Sequence, residues 1–171
     1  MFALLSLALA AHEIPVAAME AELDRSMTEL ALPGETPPWM LSYDLVDGAY
    51  TTSFAEFGAL VRDDSSPHRV VRIEVRTGDE HFDSANFESF GEPSGVVQVN
   101  LPTDDNELAL RRELWLATDV AYKQAVEQLS RKQAELEDPE TDSESLLPAS
   151  PVVDLSAEAR PIDPETIRNA V

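Results

Sequence analysis

Cysteine is absent from the 171 residues, glycine occurs only six times, and 12 Lys and Arg stand against 33 Asp and Glu. Without cysteine the chain has no disulfide, no thiolate zinc site and no cysteine nucleophile. The net charge of −21 repels phosphate, so we expect no binding of nucleic acid or anionic lipid through a basic face. The scattered glycines form neither a phosphate-binding loop nor a G-x-S-x-G turn, which presents a serine nucleophile.

No long hydrophobic run is present at the N-terminus, where residues 1–11 (MFALLSLALAA) are apolar and uncharged. Eleven residues are too few to cross a bilayer as a helix, which takes about 20. They fit the apolar region of a signal peptide, with Ala8-Leu9-Ala10 as cleavage site, although no Lys or Arg precedes Arg25. We predict export to the periplasm. The alternatives are a buried N-terminal helix and a start codon placed too far downstream. Without export, the protein would be cytoplasmic.

The composition predicts one folded domain followed by a tail. Hydrophobic residues make up 43% and charged residues 26%, which is ordinary for soluble domains. Residues 133–171, in contrast, are acidic and proline-rich, and such a composition buries too little apolar area to offset chain entropy. We therefore predict an α+β domain over residues 16–137 and an acidic linker or disordered tail over 138–171.

The first part of the domain is predicted to be a helix followed by a curved antiparallel sheet of four to five strands. Residues 16–32 predict an amphipathic helix that ends at Pro33-Gly34 and whose apolar face consists of Met19, Leu23, Met27 and Leu30. A period of two then begins, with hairpin turns expected at Asp47-Gly48 and over residues 63–67. Residues 68–76 alternate most regularly and predict a half-buried strand, and residues 96–101 predict the last strand.

A long amphipathic helix is predicted after Thr103 or the following Asp as N-cap, lying across the sheet. About 30 residues at ~1.5 Å each reach about 45 Å, longer than a small sheet is wide. Apolar residues recur at a spacing of seven, and we predict this stripe as an interaction surface: Leu108, Trp115, Tyr122, Leu129 and Leu136. A coiled coil is the less favoured alternative, because the intervening positions are mostly polar.

No metal site or catalytic residue is predicted in this chain. His12-Glu13 lacks the second histidine one helical turn later and is followed by Pro15, so it is not a zinc motif. His68 and His81 flank one strand and are each interpreted as turn histidines. Residues 77–83 hold three acids and a histidine, but they do not follow the EF-hand pattern, and a solvated turn is the better interpretation.

Several strings occur in an order that resembles the N-terminal part of TldD/PmbA-type metallopeptidases, in their exported bacterial branch. The resemblance covers roughly residues 19–138. It rests on residues 37–43 (PPWMLSY), 57–61 (FGALV), 69–79 (RVVRIEVRTGD), 82–87 (FDSANF) and 108–119 (LALRRELWLATD), followed by Ala121-Tyr122-Lys123.

The resemblance implies an α+β domain that packs against a later, β-rich catalytic domain carrying a His-Glu-x-x-x-His zinc motif. That motif has no counterpart here, so zinc and catalysis are expected only in the catalytic part. The expected function is a non-catalytic N-terminal domain, in a truncated or split chain, that docks onto a catalytic domain or subunit in proteolysis, or self-associates. The alternatives are a stand-alone acidic periplasmic binding module that responds to cations, and a degenerate remnant.

Overall fold

The structure, a computed structural model, describes residues 5–85 and 95–136, with side chains over 13–85 and 95–135. Helix α1 (Leu5–Glu29) is followed by strands β1 (Pro38–Glu56), β2 (Ala59–Thr77) and β3 (Val96–Asn100) and by helix α2 (Glu107–Leu136). The strands form one antiparallel sheet in the order β1-β2-β3. The predicted α+β class is confirmed. The predicted tail lies outside the described residues.

The sheet has three strands in the described part of the chain, not the predicted four to five, because neither expected turn forms. Asp47-Gly48 lies inside β1 and residues 63–67 lie inside β2. The chain turns instead at Phe57 (φ 51°) and Gly58 (φ 76°), the two positive φ angles of a tight hairpin turn. Thr51 and Thr52, three and four residues after Gly48, favour extended backbone. The strand propensity of these residues outweighs the turn preference of Asp47-Gly48.

The regular alternation over residues 68–76 is confirmed as a half-buried strand. Val71, Ile73 and Val75 are fully buried, and the residues between them point to the other face. Strand β3 pairs antiparallel with this part of β2, from Val70 opposite Asn100 to Glu74 opposite Val96. Val97 and Val99 thereby extend the apolar face towards the edge of the sheet.

Helix α1 packs against α2 with a face that differs from the predicted one. The helix reaches back to Leu5 and contains Pro15, but its fully buried positions include Ala18 and Ser26, with Glu22 almost fully buried between them. The predicted apolar face lies about one residue further round, where Met27 is 38% exposed. Polar partners explain the difference, because Glu22 and Ser26 are both hydrogen-bonded to Arg25 at the interface.

Helix α2 has the predicted length of 30 residues and covers the core. Its N-cap is Asn106, whose side-chain oxygen accepts a hydrogen bond from the N–H of Ala109 at 3.1 Å, rather than Thr103 or one of the aspartates. The core that it covers comprises Ala18, Val71, Ile73, Val75, Leu101, Leu110, Leu114, Ala117, Ala121, Tyr122 and Ala125.

The described residues divide into two compact units. Residues 47–68, the distal part of the β1–β2 hairpin, form one unit, and residues 5–46, 69–85 and 95–136 form the other. The core belongs entirely to the second of these.

Candidate interaction surfaces

The hairpin unit exposes large apolar side chains on a ribbon that has no core of its own. None of residues 47–68, all of which the structure describes, is buried. Its exposed apolar side chains are Tyr50, Phe54, Phe57, Leu60 and Val61, and the ring of Phe57 is 99% exposed. Because a group of large exposed apolar residues on a soluble protein marks an interaction site, this hairpin is a candidate docking surface.

Polar contacts hold the two strands of the hairpin together. Thr51 Oγ1 lies 3.2 Å from Ser65 Oγ, and Ser53 Oγ donates a hydrogen bond of 2.8 Å to Asp63 Oδ1. On the ribbon, the rings of Tyr50 and His68 lie with their centroids 4.6 Å apart. These contacts are worth little in water, and a two-stranded ribbon without further support is marginally stable. A partner that covers the apolar side chains would therefore stabilise the ribbon as well.

A groove between α1 and α2 forms a second surface, in the other unit. It is an open groove of about 550 Å³, and the residues around it are Glu22, Arg25, Leu108, Arg111, Arg112 and Trp115. The carboxylate of Glu22 forms the inner end and is 4% exposed. One of its oxygens accepts from Arg25 Nε at 2.7 Å and the other from Arg111 Nε at 2.9 Å.

The five residues of the predicted stripe lie in different environments. Leu108 is 78% exposed and Trp115 is 46% exposed, and both line this groove. Tyr122 and Leu129 are buried, so they pack inside this chain. The side chain of Leu136 lies outside the described residues. A spacing of seven drifts by about 20° per repeat on a straight helix, which carries the stripe from the flank of α2 into the core.

A buried polar chain crosses the centre of the second unit. The hydroxyl groups of Tyr43 and Thr118 are 2.8 Å apart, and Thr118 donates onward to the carbonyl of Leu114 at 2.7 Å. Burial raises the pKa of the Tyr43 phenol above its ordinary value, although hydrogen bonds with Thr118 and Ser26 oppose the shift. The phenol stays neutral and links β1 to both helices, which is a structural role.

In the acidic loop after β2, the carboxylate of Asp79 is hydrogen-bonded to the backbone of the loop itself. Asp79 Oδ1 accepts the N–H groups of His81 and Phe82 at 2.8 and 2.9 Å, and these two bonds lower the pKa of its carboxyl group. Asp83 is fully buried and lies 3.5 Å from Arg76 Nη1. Residues 77–83 therefore form a turn, as predicted, but the two ends of the turn, Thr77 and Asp83, are fully buried and not solvated.

Lys132 on α2 fixes the end of this loop. Its ammonium group donates to the carbonyl oxygens of Asp83 and Ala85 at 2.9 and 2.8 Å and lies 4.8 Å above the ring of Phe82. Burial lowers the pKa of Lys132, and the nearby charge of Asp83 opposes that shift. Lys132 therefore holds the loop in place through these contacts and does not face a cavity.

The histidines are placed apart from any cluster of ligands. His68 stacks with Tyr50 in the hairpin unit, His81 is highly exposed beside Glu80, and the side chain of His12 lies outside the described residues. Among the residues that the structure does describe, no group of three or more His, Asp or Glu could hold a metal ion. Over the same residues, no helix is long and apolar enough to cross a membrane.

Comparison with protein-family models, with curated proteins and with solved structures gives no match for this chain. The two candidate interaction surfaces are therefore identified from their geometry alone. Sequence reasoning assigned Tyr50 and Phe54 to a strand but did not predict their exposure. The four-residue spacing of Val46, Tyr50 and Phe54 was the available signal, because it places all three on one face of β1.

Proposed function

We propose that the chain is a non-catalytic, exported N-terminal domain that resembles those of TldD/PmbA-type zinc metallopeptidases. In this role the hairpin of residues 47–68 docks onto a catalytic domain or subunit that takes part in proteolysis. The observation that carries the proposal is the exposure of Tyr50, Phe54, Phe57, Leu60 and Val61 on a ribbon without buried residues.

The apolar side chains supply the driving force for docking. Full burial of one large apolar side chain is worth roughly 1.5–3 kcal/mol, so covering these five is ample to offset a large part of the cost of association. Support from a partner also removes the marginal stability of an isolated ribbon.

The negative charge of the hairpin indicates which kind of partner surface would bind it. Residues 47–68 contain four carboxylates, of Asp47, Glu56, Asp63 and Asp64, and one guanidinium, of Arg62. Electrostatic complementarity then favours an apolar patch rimmed by Lys and Arg. A second copy is a poorer partner, because each chain carries a charge of −21.

The zinc chemistry belongs to the partner in this proposal. A hydrolytic zinc needs three protein ligands and a position for water. The sequence lacks the His-Glu-x-x-x-His motif, so this chain contributes a wall or a docking surface and no ligand.

A binding experiment with matched variants tests the proposal. The chain is mixed with a catalytic polypeptide that carries His-Glu-x-x-x-His and is encoded beside it, and complex formation is followed by sedimentation. We expect a complex that the double variant Tyr50→Ser/Phe54→Ser weakens at least tenfold. Leu116→Ser removes an exposed apolar side chain on α2 and should bind as the wild type does.

Two results would overturn the docking proposal. One is the absence of a complex, or a complex that the double variant does not weaken. The other is stoichiometric zinc in the purified chain, together with peptidase activity that is lost when His68 and His81 are replaced. A calcium-dependent rise of the melting temperature would instead favour the cation-responsive binding module.

A further inference from the structure

We infer that the groove between α1 and α2 is a binding site for a single carboxylate next to a large apolar side chain, as at the C-terminal end of a peptide. The site is formed by Arg25, Arg111 and Arg112 around the apolar side chains of Leu108 and Trp115. It lies in the unit that does not contain the hairpin, so it goes beyond the docking proposal and does not depend on it.

The first support is a local charge opposite to that of the molecule. Three of the 12 Lys and Arg line this one groove, in a chain with a net charge of −21. The negative group that lines it, Glu22, is 4% exposed and turned inward. Three arginines against one inward-facing glutamate give the residues that line the groove a positive formal charge.

The second support is the arrangement of the guanidinium groups. Glu22 takes the Nε–H of Arg25 and of Arg111, and a guanidinium carries five N–H donors. Further N–H groups of both can donate to a ligand carboxylate, a geometry in which arginine excels. At the outer edge, Arg112 is 73% exposed, and its Nη1 lies 3.6 Å from Oε1 of Glu113, an exposed ion pair.

The acids around the rim hold the arginines only through exposed ion pairs. Glu107 Oε1 lies 4.0 Å from Arg111 Nη1, the limit of an ion pair, and its side chain is 59% exposed. An ion pair this exposed contributes little and is readily exchanged for another carboxylate. A ligand therefore competes with water and with two exposed glutamates, Glu107 and Glu113, for the N–H groups that the buried carboxylate of Glu22 does not take.

The apolar side chains of Leu108 and Trp115 favour a ligand with an apolar group next to its carboxylate. Leu108 and Trp115 are 78% and 46% exposed, and the lining of the groove is mainly apolar. The volume of about 550 Å³ falls within the usual range of small-ligand sites, about 300–1,000 Å³. An aliphatic or aromatic side chain fits such a wall.

The overall charge limits the ligand to one negative group. A polyanion meets the repulsion of the surrounding acidic surface, whereas a single carboxylate senses mainly the arginines within a Debye length of about 8 Å. A peptide C-terminus with a leucine or phenylalanine as its last residue satisfies both conditions.

Titration with two matched peptides tests the inference. The probes are acetyl-Ala-Ala-Ala-Leu with a free carboxylate and the same peptide as its C-terminal amide, and binding is measured by calorimetry and by tryptophan fluorescence. We expect the free acid to bind at least tenfold more tightly than the amide. The emission change should vanish in Trp115→Phe, which leaves Trp39 as the one remaining indole.

Variants on the surface separate binding from folding. Arg112→Gln and Leu108→Ser change exposed side chains, and each should weaken the free acid at least fivefold with an unchanged melting temperature. Arg131→Gln, at the other end of α2, is the control and should bind as the wild type does.

Equal affinity for acid and amide, no measurable binding of either, or indifference to Arg112→Gln would each overturn the inference. So would a sedimentation coefficient that rises with protein concentration and falls back in Leu108→Ser, because the groove would then be an interface between two copies. None of these results depends on the hairpin, so they are distinguishable from a failure of the docking proposal.

Discussion

Arg111 on α2 donates its Nε–H to Oε1 of Glu22 on α1 at 2.9 Å, across 89 positions of sequence. The carboxylate is almost fully buried, while the arginine keeps about a third of its side chain in solvent. A buried charge that loses its partners is costly, so this contact fixes how the two helices pack. It also holds the inner end of the candidate groove in place.

Replacing Glu22 should destabilise the protein more than replacing an exposed glutamate of the same helix. Glu22→Ala removes two charge-assisted hydrogen bonds, and we expect a loss of about 1–3 kcal/mol in the free energy of unfolding. The partial exposure of both arginines keeps the loss below that of a fully enclosed pair. Glu20→Ala is the control in urea unfolding and should change stability by less than about 0.5 kcal/mol. Equal losses would show that Glu22 does not organise the interface.

Glu74 on the outer face of β2 should make stability depend on pH. Burial raises the pKa of Glu74, but Arg76 at 2.6 Å and Arg72 at 3.0 Å outweigh it, so the pKa is lowered overall. A depressed carboxyl pKa gives stability above the unfolded value, about 4.3, that is lost as pH falls through the folded value. Glu74→Gln should therefore be less stable than wild type at pH 7, and the difference should shrink towards pH 3.

Urea unfolding at several pH values measures that difference. Glu80→Gln is the matched control, because its side chain is 77% exposed, and it should follow the wild-type curve. A difference between wild type and Glu74→Gln that stays constant from pH 7 to 3 would contradict an ionised, arginine-paired carboxylate.

Gly78 and Gly48 form a matched pair for testing where the chain turns. Gly78 has a φ of 109°, and a Cβ there would lie 2.3 Å from the carbonyl oxygen of Phe82. Gly48 has no atom within 4 Å of an added Cβ and no positive φ. We expect Gly78→Ala to lower the free energy of unfolding by about 2 kcal/mol or more, and Gly48→Ala to be neutral or slightly stabilising. A large loss in the free energy of unfolding for Gly48→Ala would indicate that the chain turns at Asp47-Gly48, as its sequence predicted.

Local patterns predicted the parts of the fold that one periodicity determines. The alternation of Val71, Ile73 and Val75 with charged residues defined a strand because a single buried face decides its register. The length of α2 followed in the same way from a continuous apolar stripe. Asp47-Gly48 misled because a turn dipeptide is only a local preference, and the structure keeps it extended.

The candidate surfaces were harder to predict because they depend on contacts between distant residues. A buried face made of Ala18, Glu22 and Ser26 has no hydrophobic signature, and Glu22 is burial-competent only because Arg111 reaches it from another helix. Exposure of Tyr50 and Phe54 likewise depends on which distant residues pack over the hairpin, and their spacing shows only that they share one face of β1.

Export is testable on the mature N-terminus. Cleavage at the predicted site, after Ala10 or one residue later after Ala11, would leave Ala11 or His12 as the first residue. The protein would be expressed with its full N-terminus in a bacterium, and its periplasmic fraction sequenced from the N-terminus. A periplasmic product that begins at Ala11 or His12 is expected. An uncleaved chain confined to the cytoplasm would contradict export and would leave residues 5–11 as the first turns of α1.

A substitution at Phe57 should change stability and docking in opposite directions. The backbone there has an unfavourable positive φ, and the ring is exposed. A non-glycine residue at positive φ is uncommon, and asparagine adopts this conformation more readily than phenylalanine in such turns. We expect Phe57→Asn to raise the free energy of unfolding by up to about 1 kcal/mol. The same change should weaken complex formation with the catalytic polypeptide at least fivefold. Thermal unfolding and sedimentation measure the two effects on one sample.

Phe57→Tyr is the control for that experiment, since it keeps an aromatic ring at the tip and should match wild type in both measurements. If asparagine lowers stability, the ring packs within its own chain and its exposure is not that of a docking side chain. If asparagine leaves the complex unchanged, the tip lies outside the interface and the docking surface contracts to Tyr50, Phe54 and Leu60. A more stable variant that binds less is the outcome that only an exposed docking residue produces.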